Sequence, residues 1–251
     1  MILKSSWEID LMRKSGLIVA EALDKLSRLV EPGITTLELD RSAEDHILRR
    51  GAKPAFKGYR GYPYTLCASV NEQVVHALPS ERRLSEGDIV SLDLGAIVDG
   101  YYGDAAVTVP VGRVSEEATR LMAVTQESLR LAIEAARPGN RLSDVSHEVQ
   151  AAVEAGGFSV VRLFVGHGIG RALHEEPQIP NFGPPGRGPV LKPGLVLAIE
   201  PMVTVGSPDV MILEDRWTAV TCDGSLSAHF EHTVAVTEDG VEILTSHDGR
   251  L

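Results

Sequence analysis

The chain has 251 residues, 43% of them apolar, with a mean hydropathy of +0.02, which suits one sizeable core in an ordinary soluble globular protein. Acids outnumber bases 35 to 24, a net charge of −11 that disfavours broad nucleic-acid binding. No apolar run reaches the ~20 residues of a membrane helix, and residues 1–20 carry Glu8, Asp10, Arg13 and Lys14 where an export signal would be apolar; the cytosol is therefore the expected compartment.

In chain order, Ser5 with Glu8 forms a capping box ahead of a predicted helix over residues 6–30, with an apolar stripe of Ile9, Met12, Leu17, Ala20 and Leu23. Pro32-Gly33 ends it. Thr35 with Glu38 caps a second helix that stops at Gly51. Residues 52–63 are rich in Gly, Pro and Tyr and read as loop, and strands are predicted over 64–70, 89–98 and 105–111. A long helix over 115–136 ends at Pro138-Gly139, and a further helix runs to Gly156. A strand over 158–165 leads into a Gly/Pro-rich loop, followed by strands over 195–205, 217–221 and 229–237. Cys67 and Cys222 are far apart and form no CxxC zinc element.

Three landmarks recur at nearly constant offset: Pro32-Gly33 with Pro138-Gly139, Gly51 with Gly156, and Leu84-x-x-Gly87 with Leu191-x-x-Gly194. Each is common turn chemistry alone, but in this order they indicate an internal duplication of helix–helix–sheet units. Nine residues beyond Leu84 stands Asp93, and nine beyond Leu191 stands Glu200, each in an apolar strand. Each half thus offers an acidic strand to a shared centre.

Asp104 lies eleven residues after Asp93, with Asp99-Gly100 as a turn between them, so a hairpin brings both carboxylates together. Glu231 lies in a further β-rich segment. An acid inside an apolar strand is costly unless it is paired or binds a cation. A solvent-facing side chain explains any one of these more simply, but four are harder to dismiss. Arg171 and Arg216 are the only bases nearby in sequence that suit a neutralising role, and divalent metal is the better neutraliser. His167, in Gly166-His167-Gly168-Ile169-Gly170, supplies a nitrogen ligand. The spacing is GxGxG, not the dinucleotide GxGxxG; His174-Glu175-Glu176-Pro177-Gln178 is no HExxH helix; and no GxSxG occurs. Four carboxylates and one imidazole suit a pair of divalent ions, with Mn, Fe or Co fitting at least as well as Zn. Residue chemistry alone reaches a dinuclear metallohydrolase.

The run Asn71-Glu72-Gln73-Val74-Val75-His76, the Gly100-Tyr101-Tyr102-Gly103-Asp104 hairpin and Gly166-His167-Gly168-Ile169-Gly170-Arg171 resemble the bacterial type I methionine aminopeptidases. So do His174-Glu175-Glu176-Pro177, Ile199-Glu200-Pro201-Met202 and Glu231-His232-Thr233, and the match runs through nearly the whole chain. The resemblance implies an α/β (α+β) pita-bread fold, in which two pseudo-symmetric halves enclose a curved antiparallel sheet, here one catalytic domain over 1–251 with halves of about 1–112 and 113–251. It implies two divalent ions (Mn, Fe, Co or Zn) held by Asp93, Asp104, His167, Glu200 and Glu231, with Asp104 and Glu231 bridging. Glu200 would take the proton from the attacking water, His174 would face the scissile carbonyl oxygen, and His76 the amide nitrogen. Tyr59, Tyr62, Cys67 and Trp217 match positions lining the methionine pocket, with Phe56 and Leu173 at its variable edge. Nascent polypeptide N-termini with a small second residue are the implied substrates of a cytoplasmic monomer, with transient ribosome contact, no sequence-specific nucleic acid and no membrane partner. Leu94-Gly95 departs from relatives that carry a Thr two places after the metal Asp.

Two rivals are weighed. An Xaa-Pro aminopeptidase or prolidase shares fold and ligands but surrounds its last glutamate with an Arg-x-Glu-Asp-like pattern, not Glu231-His232-Thr233, and carries a sizeable N-terminal domain. A non-enzymatic binding protein on this scaffold should have lost ligands, and all five positions are filled.

Overall fold

The computed structural model describes residues 1–247. Among these residues four α-helices form: α1 (Ser6–Leu29), α2 (Thr36–Arg49), α3 (Glu116–Ala135) and α4 (Leu142–Ala155). Both expected capping boxes are present. The Ser5 and Thr35 hydroxyls accept from the backbone of Glu8 and Glu38, whose carboxylates accept from the cap residues in return.

Among the described residues fifteen strands accompany the helices. β1 (Lys53–Pro54), β2 (Leu66–Val70), β3 (Gln73–Val75), β4 (Ile89–Val98) and β5 (Tyr101–Pro110) precede α3. After α4 come β6 (Ser159–Val160), β7 (Gly166–Gly168), β8 (Glu175–Ile179), β9 (Val196–Ile199) and β10 (Met202–Thr204). The last five are β11 (Val210–Ile212), β12 (Ala219–Thr221), β13 (Ser227–His229), β14 (Glu231–Val236) and β15 (Val241–Ile243). The central sheet runs β1-β4-β5-β14-β9-β7-β8, with β2 also on β4 and β15 also on β14, every pairing antiparallel. Two three-stranded sheets, β13-β10-β6 and β11-β12-β3, flank it. This is the α/β pita-bread arrangement.

The recurring landmarks make matched hydrogen bonds. Gly33 N–H donates to Leu84 O at 2.7 Å, and Gly139 N–H to Leu191 O at 3.0 Å. Gly87 N–H donates to Val111 O at 3.0 Å, and Gly194 N–H to Val236 O at 2.9 Å. Each landmark loop therefore clamps the start of a central strand in its own half. Leu92 and Leu94 of β4 join α1 and α2 in one buried core, and Leu197 and Ile199 of β9 join α3 and α4 in a second. Alternation then turns Asp93 and Ala198 to the other face. Helix α1 crosses β5 at a contact of two glycines: a Cβ on Gly103 would lie 2.7 Å from Gly16 N.

Several expectations shift. The second strand of the hairpin begins at Tyr101, not 105, because Asp99 (φ 49°) and Gly100 (φ 81°) turn the chain in two residues. The strand expected over 158–165 shortens to β6, since beyond Val161 the side chains leave the sheet and Leu163 is exposed. The strand expected over 195–205 breaks at Glu200-Pro201 into β9 and β10, which join different sheets; proline offers no ladder donor. Gly166–Gly168, expected as loop, is a strand between β8 and β9. Its glycines admit close neighbours, for a Cβ on Gly166 would lie 2.6 Å from Ala198 O and one on Gly168 2.4 Å from Glu176 O.

Candidate metal centre and pocket

Strand register brings the five proposed ligands to one face. Asp93 pairs across with Ala106, and Ala106 with Glu231, so the two carboxylates flank one alanine in a row across β4, β5 and β14. Asp104 stands two residues before Ala106 on the same face of β5. His232 pairs with Ile199, which brings the following Glu200 toward Glu231, and His167 pairs with Ala198, two places before Glu200.

Donor atoms of Asp104, His167 and Glu231 all lie within 4.8 Å of one another, a spacing that one ion can span. His167 Nε2 stands 3.4 Å from Glu200 Oε1 and 4.0 Å from Asp104 Oδ2. The other ring nitrogen, Nδ1, is 2.9 Å from Gly168 O. A carbonyl only accepts, so Nδ1 carries the proton and Nε2 turns its lone pair to the carboxylates, the tautomer a metal ligand needs.

Among the described residues no lysine or arginine pairs with any of the four carboxylates. Arg171 lies instead over the Tyr101 ring at 4.6 Å, and Arg216 is an exposed turn residue at φ 67°. Oδ1 of Asp93, Oδ1 of Asp104 and Oε1 of Glu231 are buried without a partner. Burial pushes Asp93 up to about 7, and burial followed by mutual repulsion pushes Asp104, Glu200 and Glu231 well above the ordinary carboxylate range. Buried acids with orphaned oxygens, no basic partner and an imidazole lone pair among them fit divalent cations.

Above this floor lies a cavity of about 150 Å³, room for a single side chain. Its walls include Phe56, Tyr62, Cys67, Leu173 and Trp217, with Tyr59, Arg60, His76 and His174 around them. Cys67 pairs across with Asp93, which aims its thiol into the cavity beside a ligand, and burial keeps that thiol protonated. The Tyr62 hydroxyl donates to Leu66 O and Ala77 O, so the ring offers the cavity an apolar face, edge-on to Trp217 at 5.0 Å. Asp215 fixes the turn that presents Trp217 by accepting from Trp217 N and Thr218 N, both at 2.8 Å.

His76 (φ 60°) packs edge-on against Phe164 at 5.4 Å, and burial with the nearby His174 lowers it to about 4. Burial and then the charge of Arg60 lower His174, so both imidazoles stay neutral near pH 7. Every site residue named from the sequence thus faces one cavity. Sequence reasoning missed Arg60, Asn181, whose amide holds Glu200 O at 2.9 Å, and Thr233, whose hydroxyl donates to Asp104 O at 2.7 Å and accepts from Asp104 N–H at 3.0 Å. Arg60 sits in Gly58-Tyr59-Arg60-Gly61, a segment read only as loop. The meaning of Asn181 and Thr233 lies in long-range partners that no local pattern encodes.

Comparison with known proteins bears on this geometry. The model of metallopeptidase family M24 matches residues 10–238. The chain is 58% identical over 245 residues to a methionine aminopeptidase of Clostridium perfringens, covering 98% of each. It is 53% identical over 245 residues to methionine aminopeptidase 1 of Bacillus subtilis, covering 98% of this chain and 99% of that one. Among solved structures it is similar to the methionine aminopeptidase of Thermotoga maritima, with a TM-score of 0.97, 52% identity, and 98% of this chain and 100% of that one covered.

Proposed function

Since the chain belongs to metallopeptidase family M24, we propose that it is a methionine aminopeptidase, removing the N-terminal methionine from nascent polypeptides and peptides with a small second residue. The observation that carries the reading is the juxtaposition of a carboxylate–imidazole floor with a side-chain cavity walled by Tyr62, Cys67 and Trp217. A thiol and aromatic faces suit a thioether.

Divalent metal use follows from the family. Two ions, drawn from Mn, Fe, Co or Zn, are our reading, with Asp93, Asp104, His167, Glu200 and Glu231 as the residues that would hold them. When bound, such ions lower the pKa of water and polarise a carbonyl. The chain's own groups do the rest. Glu200, at the end of β9 and set by Asn181, takes the proton of the attacking water. His174, neutral, donates a hydrogen bond to the negative charge that develops on the scissile carbonyl oxygen. His76 donates a hydrogen bond to the scissile amide nitrogen, which takes up the proton held by Glu200 as the C–N bond breaks and it leaves as an amine. Tyr62, Cys67 and Trp217 hold the methionine side chain and exclude water.

No helix among the described residues is long and apolar enough to cross a membrane. A cytoplasmic monomer with transient ribosome contact, and one catalytic domain with halves of about 1–112 and 113–251, belong to the same proposal. What supports the division is the matched pair of landmark clamps. The test is release of methionine by metal-reconstituted protein from Met-Ala-Ser, with poor release from Met-Leu-Ser. Robust cleavage of Leu-Pro peptides without action on Met-Ala-Ser would identify the prolidase rival instead.

A further inference from the structure

Tyr59 occupies a position that the resemblance assigns to the methionine pocket, yet its polar contact is with a catalytic imidazole. The 3-10 turn Tyr59–Gly61 is entered through Gly58 at φ 88° and contains Arg60 at φ 50°. That compact turn lays the Tyr59 ring on the His174 ring, centroids 5.4 Å apart and planes 21° from parallel, with the phenol oxygen 2.9 Å from His174 Nδ1. The His174 ring also lies 4.3 Å from that of His167, and the Arg60 guanidinium stands 5.3 Å over Tyr59. His174 is thus held between an aromatic turn and the metal floor.

A neutral imidazole has one donor nitrogen and one acceptor nitrogen, and whatever occupies one decides the other. A phenol O–H donating to Nδ1 leaves the proton on Nε2, the nitrogen that remains for the substrate. The opposite arrangement, Nδ1–H donating to the phenol oxygen, would turn an Nε2 lone pair toward a substrate oxygen and repel it. We propose that Tyr59 is a positioning residue whose hydroxyl donates to His174 Nδ1, selecting the tautomer in which Nε2–H meets the developing charge on the scissile carbonyl oxygen. The inference rests on the functional reading above for its catalytic consequence, but not for the hydrogen bond itself.

Tyr59→Phe isolates the hydroxyl, because the ring, its stacking and the pocket wall remain. Nitrogen-15 NMR of metal-free protein, with the His174 resonances assigned by their loss in His174→Asn, reads the tautomer without any turnover. The wild type is expected to show an acceptor-type Nδ1 and a protonated Nε2, and Tyr59→Phe a mixture of both tautomers. In metal-reconstituted enzyme, kcat on Met-Ala-Ser is expected to fall about ten- to a hundredfold, with KM within about twofold, the scale of losing a group that orients a functional side chain. A residue that merely lines the pocket would move KM and leave the nitrogen shifts alone. A protonated Nδ1 in the wild type, unchanged shifts in Tyr59→Phe, or unchanged kcat overturns the proposal. If the wild type fails to release methionine, the functional reading falls while the nitrogen shifts still decide the hydrogen bond.

Discussion

The two halves build their share of the site by different means. The first presents Asp93 and Asp104 from a single regular hairpin, ten residues in β4 and ten in β5, joined by the two-residue turn Asp99-Gly100. The second presents Glu231 from a strand of six residues and Glu200 from just beyond a strand of four, where Pro201 follows. It also supplies His167 and His174 from segments ahead of β9, and Trp217 from the segment between β9 and β14. The regular half is a platform whose geometry is set locally; the interrupted half spends its regularity on placing side chains of different kinds around that platform. Both halves contribute side chains to the cavity, the first mostly from β4, β5 and the segment before them, the second from shorter strands and the loops that join them.

The largest expected effect comes from breaking the platform's contribution. Asp104→Ala removes a carboxylate within reach of both His167 and Glu231, and release of methionine from Met-Ala-Ser is expected to fall by more than the ~100-fold that loss of a supporting residue can cost. Metal analysis of the same sample separates the causes: retained activity with full metal content would sink the assigned role of Asp104.

Next in size is the response of metal-free protein to pH. The four carboxyls are raised by burial, so the folded state holds protons that the unfolded state releases, and each lowers stability as pH rises from about 4 toward its folded value. The buried histidines oppose this. His76 and His232, lowered to about 4, and His167 and His229, lowered to about 3, are neutral when folded but protonate when unfolded, so they lose stability as pH falls below ~6.5. The two sets cancel between about pH 4 and 6.5, and only the acids remain above it. Stripped of metal, the protein is expected to melt lower at pH 8.5 than at pH 7. Manganese should restore most of the lost stability. A metal-free melting point that rises between those pH values would mean that the acids are not held protonated.

Much of this was legible beforehand, for local reasons. Strand β4 falls where alternation and the Leu84-x-x-Gly87 turn put it, and both capping boxes are spelled within four residues of chain. The candidate ligands stood out because acids in apolar strands are anomalous. Gly166–Gly168 resisted, since its composition reads as loop and only the proximity of Ala198 and Glu176 makes it a strand. Thr233 resisted for the same kind of reason: a threonine in a β-rich run is unremarkable until Asp104 is found beside it.

That threonine sits on the seam between the halves and offers a smaller, sharper test. The β5–β14 ladder holds through Ala106–Glu231 and Ala105–His232, and at the next step the Thr233 hydroxyl takes the place of backbone, closing both the N–H and the C=O of Asp104. Thr233→Val keeps the volume and leaves two buried backbone groups without partners, at a cost of about 1–3 kcal/mol. Urea denaturation of metal-free protein measures that cost. Calorimetric titration with manganese should show affinity weakened about tenfold as Asp104 loses its anchor. Unchanged stability together with unchanged affinity would mean that the two halves are held at this point by something other than Thr233.

The smallest test compares the halves at equivalent helix starts. Thr35 caps α2 with its hydroxyl, accepting from Glu38 N–H at 3.1 Å, whereas Arg141 stands in the corresponding place before α4. A guanidinium has no acceptor, so only the return half of the box forms, Arg141 N–H donating to Asp144 at 2.7 Å. The arginine compensates through its guanidinium, which donates to Gly188 O at 2.7 Å in an exposed bond. An exposed bond of that kind is worth less than a cap, for which Thr against a non-capping residue is worth about 0.5–2 kcal/mol. Arg141→Thr is therefore expected to raise stability by about 0.5–1 kcal/mol, read as a higher urea midpoint at unchanged slope. Thr35→Ala should lower it by a similar amount. A loss in Arg141→Thr would show that the tie to Gly188, not the helix end, is what the second half needs there, and that the two copies of the landmark loop have diverged in what holds them closed.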